Sequence, residues 1–325
     1  MTRPRVVLLT ADGTPEPANL AVLQALADLE VTTADRLAES LPGAEALVLW
    51  DFFSGALQEA WPVADRLRWV HVAAAGVDTL LFDGLRESTV VVTNAHGVFD
   101  EPIAEYVLTA VLAHDKRWNE HKALQAERRW EHHELRLTRG RRCLVVGTGG
   151  IGRATARLLR AVGCEVRGAG RRDVDDDPDF GQVVSTDRLA QEVGWADHVV
   201  LVAPLTPQTA GLVTAEVLDA MRPTAHLVNV GRGPLVDEDA LVDALRAGEI
   251  AGATLDVFRT EPLPPGSPLW EIPTVTISCH LSGDVVGWRD ALADQVETNL
   301  RRFVTGENLV NVVDKGLGYV PRPRS

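Results

Sequence analysis

The sequence predicts an α/β protein: a doubly wound parallel sheet joined to a smaller α/β unit. Three observations carry this expectation. From Cys143 onward, six apolar runs of strand length follow one another. Helical segments separate most of them, as a parallel sheet covered on both faces requires. Residues 5 to 94 show a shorter alternation of the same kind.

The chain has 325 residues, 46% hydrophobic and 24% charged, enough for two domains and a large core. A formal charge of −14 disfavours nucleic acid and anionic membrane as partners, because an acidic surface repels phosphates. Any anionic ligand must therefore be met by local positive charge. Cys143, Cys164 and Cys279 are odd in number and lie in apolar runs, which suggests neither disulfides nor zinc; no metal is expected. The opening "MTRPRVVLLTADG" holds too short an apolar run for a signal peptide, and no stretch approaches the ~18 apolar residues of a membrane span. A cytoplasmic protein is expected.

In the first unit, Val6 to Leu9, Ala46 to Trp50, Trp69 to Val72 and Val90 to Val92 read as strands. A helix follows between Asp100 and Trp118, with Asp100 as its cap and Pro102 in its first turn. The six later strands are "CLVVG", "EVRGAG", "HVVLVAP", "HLVNVG", "GATLDV" and "TVTISC", and the acidic "DVDDDPD" at 173 to 179 reads as a solvated loop. An amphipathic helix through Ala291, Leu292, Val296, Leu300, Phe303 and Val304 stops at Gly306. The run "NLVNVV" after it lacks a partner in the second unit, so it returns to the first. The expected domains are 1–98 with 287–325, and 99–286.

"LVVGTGGIGRATARLL" places Gly147, Gly149 and Gly152 at G-x-G-x-x-G spacing, directly after a strand and opening a helix. This is the fingerprint of a Rossmann-type dinucleotide site, with Gly147 for the tight turn, Gly149 for approach of the pyrophosphate and Gly152 for helix packing. The amides of Gly150 and Ile151 then face the phosphates at the positive end of the helix. An NAD site carries an acid about 20 residues further on. Here Gly170 stands there, followed by Arg171 and Arg172, whose guanidinium groups suit a 2′-phosphate. The residues favour NADP over NAD, although Asp173 serves the ribose if the turn slips by a few positions.

In open α/β sheets ligands lie beyond the carboxyl ends of the strands. Three of these ends carry reactive groups: Arg232 in "HLVNVGRGPLVDEDAL", Glu261 in "LDVFRTEPLP" and His280 in "TISCHLSGD". The type of each group suits hydride exchange between nicotinamide and a 2-oxo acid. Arg232 holds the carboxylate and polarises the carbonyl, His280 donates the proton, and Glu261 orients the imidazole and favours its charged form. Singly, a histidine at a strand end is more often structural, an arginine between glycines is often solvated, and a glutamate before proline can be a turn residue. The joint placement gives the argument its force.

Together with "VHVAAAGVDTLL", "VVVTNAHGVFDEPIAEYVL" and "APLTPQTAGLV", these segments resemble the D-isomer-specific 2-hydroxyacid dehydrogenase family, the group containing glyoxylate/hydroxypyruvate reductases. The resemblance covers nearly the whole chain and implies the same catalytic trio. It also implies a flavodoxin-like substrate domain built from both chain ends, and a homodimer. Backbone amides at Ala75, Gly76 and Val77 would grip the substrate carboxylate, and Trp50 in "LWDFFSG" would wall the substrate side chain unless it simply packs in the core. Asp256 would hold the nicotinamide carboxamide, while Pro204, Thr209 and Val230 would line the cofactor. Two departures stand out: Cys279 replaces the family's usual proline before the histidine, and the acid at 170 is missing, as in NADP-using members. The resemblance leaves two alternatives, a nucleotide-sensing corepressor-like protein and a phosphite dehydrogenase. Formate is disfavoured because related formate enzymes carry glutamine where Glu261 stands.

Overall fold

The structure, a computed structural model, describes residues 3–321. Residues 1, 2 and 322–325, which include the end of the "YVPRPRS" tail, lie outside the described residues. The chain divides into two compact units, one made of Met1–Phe99 with Val286–Ser325 and the other of Asp100–Val285.

In the first unit, β1 (Arg5–Leu9), β2 (Asp28–Thr32), β3 (Ala46–Leu49), β4 (Trp69–Val72) and β5 (Val91–Asn94) form a parallel sheet in the order β2-β1-β3-β4-β5. Its core of Val7, Leu9, Leu47, Leu49, Val70, Val72 and Val92 comes from these β-branched and leucine-rich runs. β2 was not expected from the sequence. It is an edge strand with only Thr32 fully buried, so "DLEVT" lacks the continuous apolar run that marks the central strands. The helix Trp288–Thr305 ends at Gly306, whose φ of +76° closes it in the left-handed region. The chain then returns to the sheet, where Val312 bridges Thr93 and the Val313 amide donates to the Val92 carbonyl at 2.8 Å.

The second unit holds eight strands: β6 (Arg142–Val146), β7 (Glu165–Gly170), β8 (Val174–Asp177), β9 (Gly181–Ser185), β10 (His198–Leu201), β11 (His226–Asn229), β12 (Gly252–Leu255) and β13 (Val275–Ile277). Their order is β13-β12-β11-β10-β6-β7-β9-β8, parallel except for β8 against β9. The chain moves outward from β6 through β7 and then returns to lay β10 on the other side of β6. That reversal is a topological switch point, where open sheets of this class bind ligands.

Two expectations need correction. The acidic run is not a solvated loop: β8 and β9 form a hairpin, and Asp177 is buried beneath the helix Gly150–Ala161. The reason is Arg153 on that helix, which donates to both Asp177 oxygens at 2.8 and 2.7 Å and to Asp179 at 2.7 Å. Burial pushes the Asp177 carboxyl up, but Arg153 and the amides of Asp179 and Phe180 outweigh it and hold the carboxyl below its ordinary range. Asp100, expected as a cap, instead belongs to the first turn of the helix Asp100–Asp115.

At the other end of the strands, His198 and His226 face each other with Nδ1 atoms 3.3 Å apart, and His114 stacks on His226 with ring centroids 4.3 Å apart. Burial, with His198 nearby, pushes His114 down to about 4. His226 also lies well below its ordinary range for the same first reason, burial.

Candidate active site

β6 runs into Gly147, which sits at φ +115°. A Cβ there would lie 2.7 Å from the Ala203 nitrogen, so the loop after β10 packs directly on this turn. At Gly152 a Cβ would meet the Gly147 carbonyl oxygen at 1.9 Å. Gly149 caps the helix Gly150–Ala161, leaving the Gly150 and Ile151 amides in a first turn that cannot use them internally. The result is a helix N-terminus open to close approach at Gly149, where an added Cβ would meet nothing within 4 Å, the form a pyrophosphate needs. The Asp100 carboxylate flanks it: a Cβ on Gly150 would lie 2.2 Å from Asp100 Oδ2.

Gly170 ends β7, where an added Cβ would crowd Thr148 at 3.1 Å. Arg171 and Arg172 follow, both exposed. Asp173 accepts from the Ser185 amide at 2.9 Å and from Arg188 at 2.8 and 3.2 Å, and the Arg188 hydrogen bond, ahead of that amide, lowers its carboxyl. Thr209 closes its own turn, donating to the Pro204 carbonyl at 2.6 Å and accepting from the Thr206 amide at 2.8 Å. Val230 is buried after β11.

The two glycines around Arg232 are explained by converging backbones. A Cβ at Gly231 would meet Leu235 at 2.9 Å, and one at Gly233 would meet the Phe258 carbonyl carbon at 1.9 Å. The Arg232 turn therefore packs on the loop that carries Glu261. Asn229 at the end of β11 braces the turn, accepting from the Gly231 amide at 3.1 Å and donating to the Arg232 carbonyl at 3.0 Å.

Glu261 accepts from the Phe258 amide through Oε1 at 2.9 Å and meets His280 Nδ1 through Oε2 at 2.7 Å. An ionised carboxylate only accepts, so Nδ1 carries the proton in this contact. Burial raises the Glu261 carboxyl, but His280, the Phe258 amide and Arg232 together hold it below its ordinary range. The side chains of Glu261 and His280 are 32% and 30% exposed, open enough to meet a ligand. Arg232, Glu261 and His280 thus form one electrostatic group inside the second unit.

His280 itself is held in an unusual backbone conformation, φ +53°, which a residue with a side chain adopts only when its surroundings impose it. Asp256 imposes it. This fully buried residue accepts the His280 amide on its carbonyl at 2.8 Å. Its carboxylate accepts from Ser278 Oγ at 2.5 Å, the Leu281 amide at 3.0 Å and the Ser282 amide at 2.9 Å. Asp256 thereby holds the loop of His280. Tyr106 reaches the same network, its hydroxyl 2.5 Å from Ser278 Oγ.

In the first unit, Ala75, Gly76 and Val77 follow β4 in a braced loop. Asn94 Nδ2 donates to the Ala75 carbonyl at 2.5 Å, and Val77 accepts the Leu80 and Leu81 amides, each at 3.1 Å. Trp50 is buried, with its indole N–H on the Pro15 carbonyl at 2.8 Å, and its ring lines a cleft with Phe52, Phe53, Trp288 and Arg289. Sequence reasoning missed Ser278, Tyr106 and Asn94. For Asn94 the signal was a polar residue closing a buried strand; for Tyr106 there was none, because it reads as one more member of an apolar helix face.

The family described as D-isomer specific 2-hydroxyacid dehydrogenase, NAD binding domain, matches residues 108–282. Glyoxylate/hydroxypyruvate reductase A of Serratia proteamaculans is 32% identical over 266 residues, 78% of this chain and 82% of that protein. A D-isomer specific 2-hydroxyacid dehydrogenase from Xanthobacter autotrophicus, solved with NADPH and MES, superposes with a TM-score of 0.82 at 31% identity, covering 98% of this chain and 100% of that one. The NADPH-dependent glyoxylate/hydroxypyruvate reductase of Sinorhizobium meliloti, solved with NADP and sulfate, gives 0.82 at 28% identity over 98% of this chain and 100% of that one.

Proposed function

The chain belongs to the D-isomer specific 2-hydroxyacid dehydrogenase family, an NAD(P)-dependent oxidoreductase family acting on CH–OH donors, and from that premise we propose that it reduces small 2-oxo acids such as glyoxylate or hydroxypyruvate with NADPH. One observation carries the reading: the 2.7 Å contact between His280 Nδ1 and Glu261, with Arg232 acting on the same carboxylate.

The glycine turn and the helix N-terminus open at Gly149 fit a dinucleotide, which supplies the hydride when bound. Everything else falls to the chain. Arg232 binds the substrate carboxylate and draws electron density from the 2-oxo group. His280, with Nδ1 directed to Glu261, gives a proton from Nε2 to the carbonyl oxygen as the carbon is reduced, and recovers it from solvent. Glu261 keeps the ring oriented. The amides of Ala75, Gly76 and Val77 are proposed to add donors to the substrate carboxylate, and Trp50 to bound its side chain. Where reduction creates a stereocentre, the product is the D-2-hydroxy acid.

NADPH preference is supported by Arg171 and Arg172 after a glycine at 170, and by the engagement of Asp173 with Arg188. A cytoplasmic homodimer belongs to the same reading. The test is NADPH oxidation against a panel of 2-oxo acids. Turnover of glyoxylate or hydroxypyruvate is expected; no turnover on any member contradicts the proposal.

A further inference from the structure

We propose that Tyr106 and Ser278 are positioning residues for His280, acting from the helix Asp100–Asp115 through the carboxylate of Asp256. The inference rests on the reading of His280 as proton donor and extends it to residues outside the proposed trio.

The direction of the hydrogen bonds follows from the inventory of protons. Asp256 can only accept, so the single Ser278 hydroxyl proton points to it. Ser278 Oγ must then accept from the Tyr106 hydroxyl. Burial, reinforced by nearby Asp256 against the Ser278 hydrogen bond, raises the Tyr106 phenol, so it stays protonated and keeps its donor. Two hydroxyl donors in line polarise one another, Tyr106 to Ser278 and Ser278 to the Asp256 carboxylate. The carboxylate at the end of that line holds the Leu281 and Ser282 amides, the two residues after His280.

The need for such a clasp is visible in the loop itself. His280 sits at φ +53°, and Cys279 before it has no ring to restrict its own backbone torsion. The loop must therefore be held by its contacts. Ser278 sits beyond β13 and Tyr106 on a long helix, so the network ties the His280 loop to a rigid element 172 residues away in sequence.

The experiment combines Tyr106→Phe, Ser278→Ala and the double variant with Ser278→Thr as the conservative control. In Tyr106→Phe, kcat for glyoxylate reduction is expected to fall about tenfold while NADPH affinity stays within about twofold, because a displaced catalytic group loses rate rather than cofactor. Hydrogen exchange at the Leu281 and Ser282 amides is expected to quicken in the same variant. The double variant should be no slower than Ser278→Ala alone, since both act along one line. Ser278→Thr should retain the parental rate. Parental kcat and parental exchange in Tyr106→Phe would overturn the positioning role while leaving the proposed function standing, as would additive losses in the double variant. An inactive parent would instead defeat the function on which the inference rests.

Discussion

Arg232 stands between Gly231 and Gly233 because neighbouring groups leave no room for a Cβ on either side, and the consequence is chemical: a guanidinium is fixed beside the loop of Glu261. Arg232→Ala is expected to cut kcat/KM for a 2-oxo acid by about 10³-fold or more, as for loss of a group that binds both substrate and developing charge. Steady-state kinetics check this, and a change in NADPH binding of similar size would point to misfolding of the turn. Glu261→Gln removes the carboxylate that meets His280 Nδ1 while keeping a side chain of similar shape. Proton transfer depends on the ring orientation that this contact sets, so kcat is expected to fall about tenfold or more with NADPH affinity little changed; steady-state kinetics read the loss, and a parental kcat would contradict the assigned role. At this scale the grouping of Arg232, Glu261 and His280 was legible because each follows a strand beyond whose end ligands lie. The clasp was not, since Asp256, Ser278 and Tyr106 meet only after β12, β13 and a distant helix have packed.

Among the elements, the β8–β9 hairpin shows what an acidic run conceals. Four of the residues in "DVDDDPD" form a strand, and its aspartates neutralise Arg153 on the helix that opens the nucleotide loop. Charge composition alone reports solvation; it cannot show a cation arriving from another segment. Because the Arg153 and Asp177 side chains are only 11% and 7% exposed, removing one partner leaves a buried charge. Arg153→Met is expected to lower stability by about 3 kcal/mol, measured by urea denaturation. A change below about 0.5 kcal/mol would mean the pair is solvated after all. On the proposed reading, the turn between β7 and β8 carries the cofactor choice. Arg171→Ala is expected to lower the ratio of NADPH to NADH efficiency about tenfold, with NADH kinetics little altered. A parent that prefers NADH would contradict the assignment.

Across the whole molecule, strand succession and helix periodicity made the α/β class and the parallel sheet readable, because buried parallel strands are continuously apolar. The return of the last segment to β5 was readable for a related reason, as an apolar run without a partner nearby. Edge strand β2 escaped because an edge is half-buried and leaves a weak pattern. The buried histidines give the fold a pH dependence whose sign is fixed. His71 is pushed down to about 3 by burial and His114 to about 4, while the unfolded chain takes up these protons near 6.5. Between these values the unfolded state binds more protons, so stability is lost as pH falls from about 6.5 toward 4. Thermal unfolding followed across that range should show a falling Tm, and a flat Tm from pH 7 to 5 would mean that these rings are protonated in the folded protein.

The measurement nearest the central claim is the rate of glyoxylate reduction by His280→Ala together with its NADPH affinity. The account predicts a loss of about 10²- to 10⁴-fold in kcat, with the dissociation constant for NADPH within about twofold of the parent. A variant that reduces glyoxylate at the parental rate would show that the proton comes from elsewhere, and the assembly of Arg232, Glu261 and His280 would lose its assigned role.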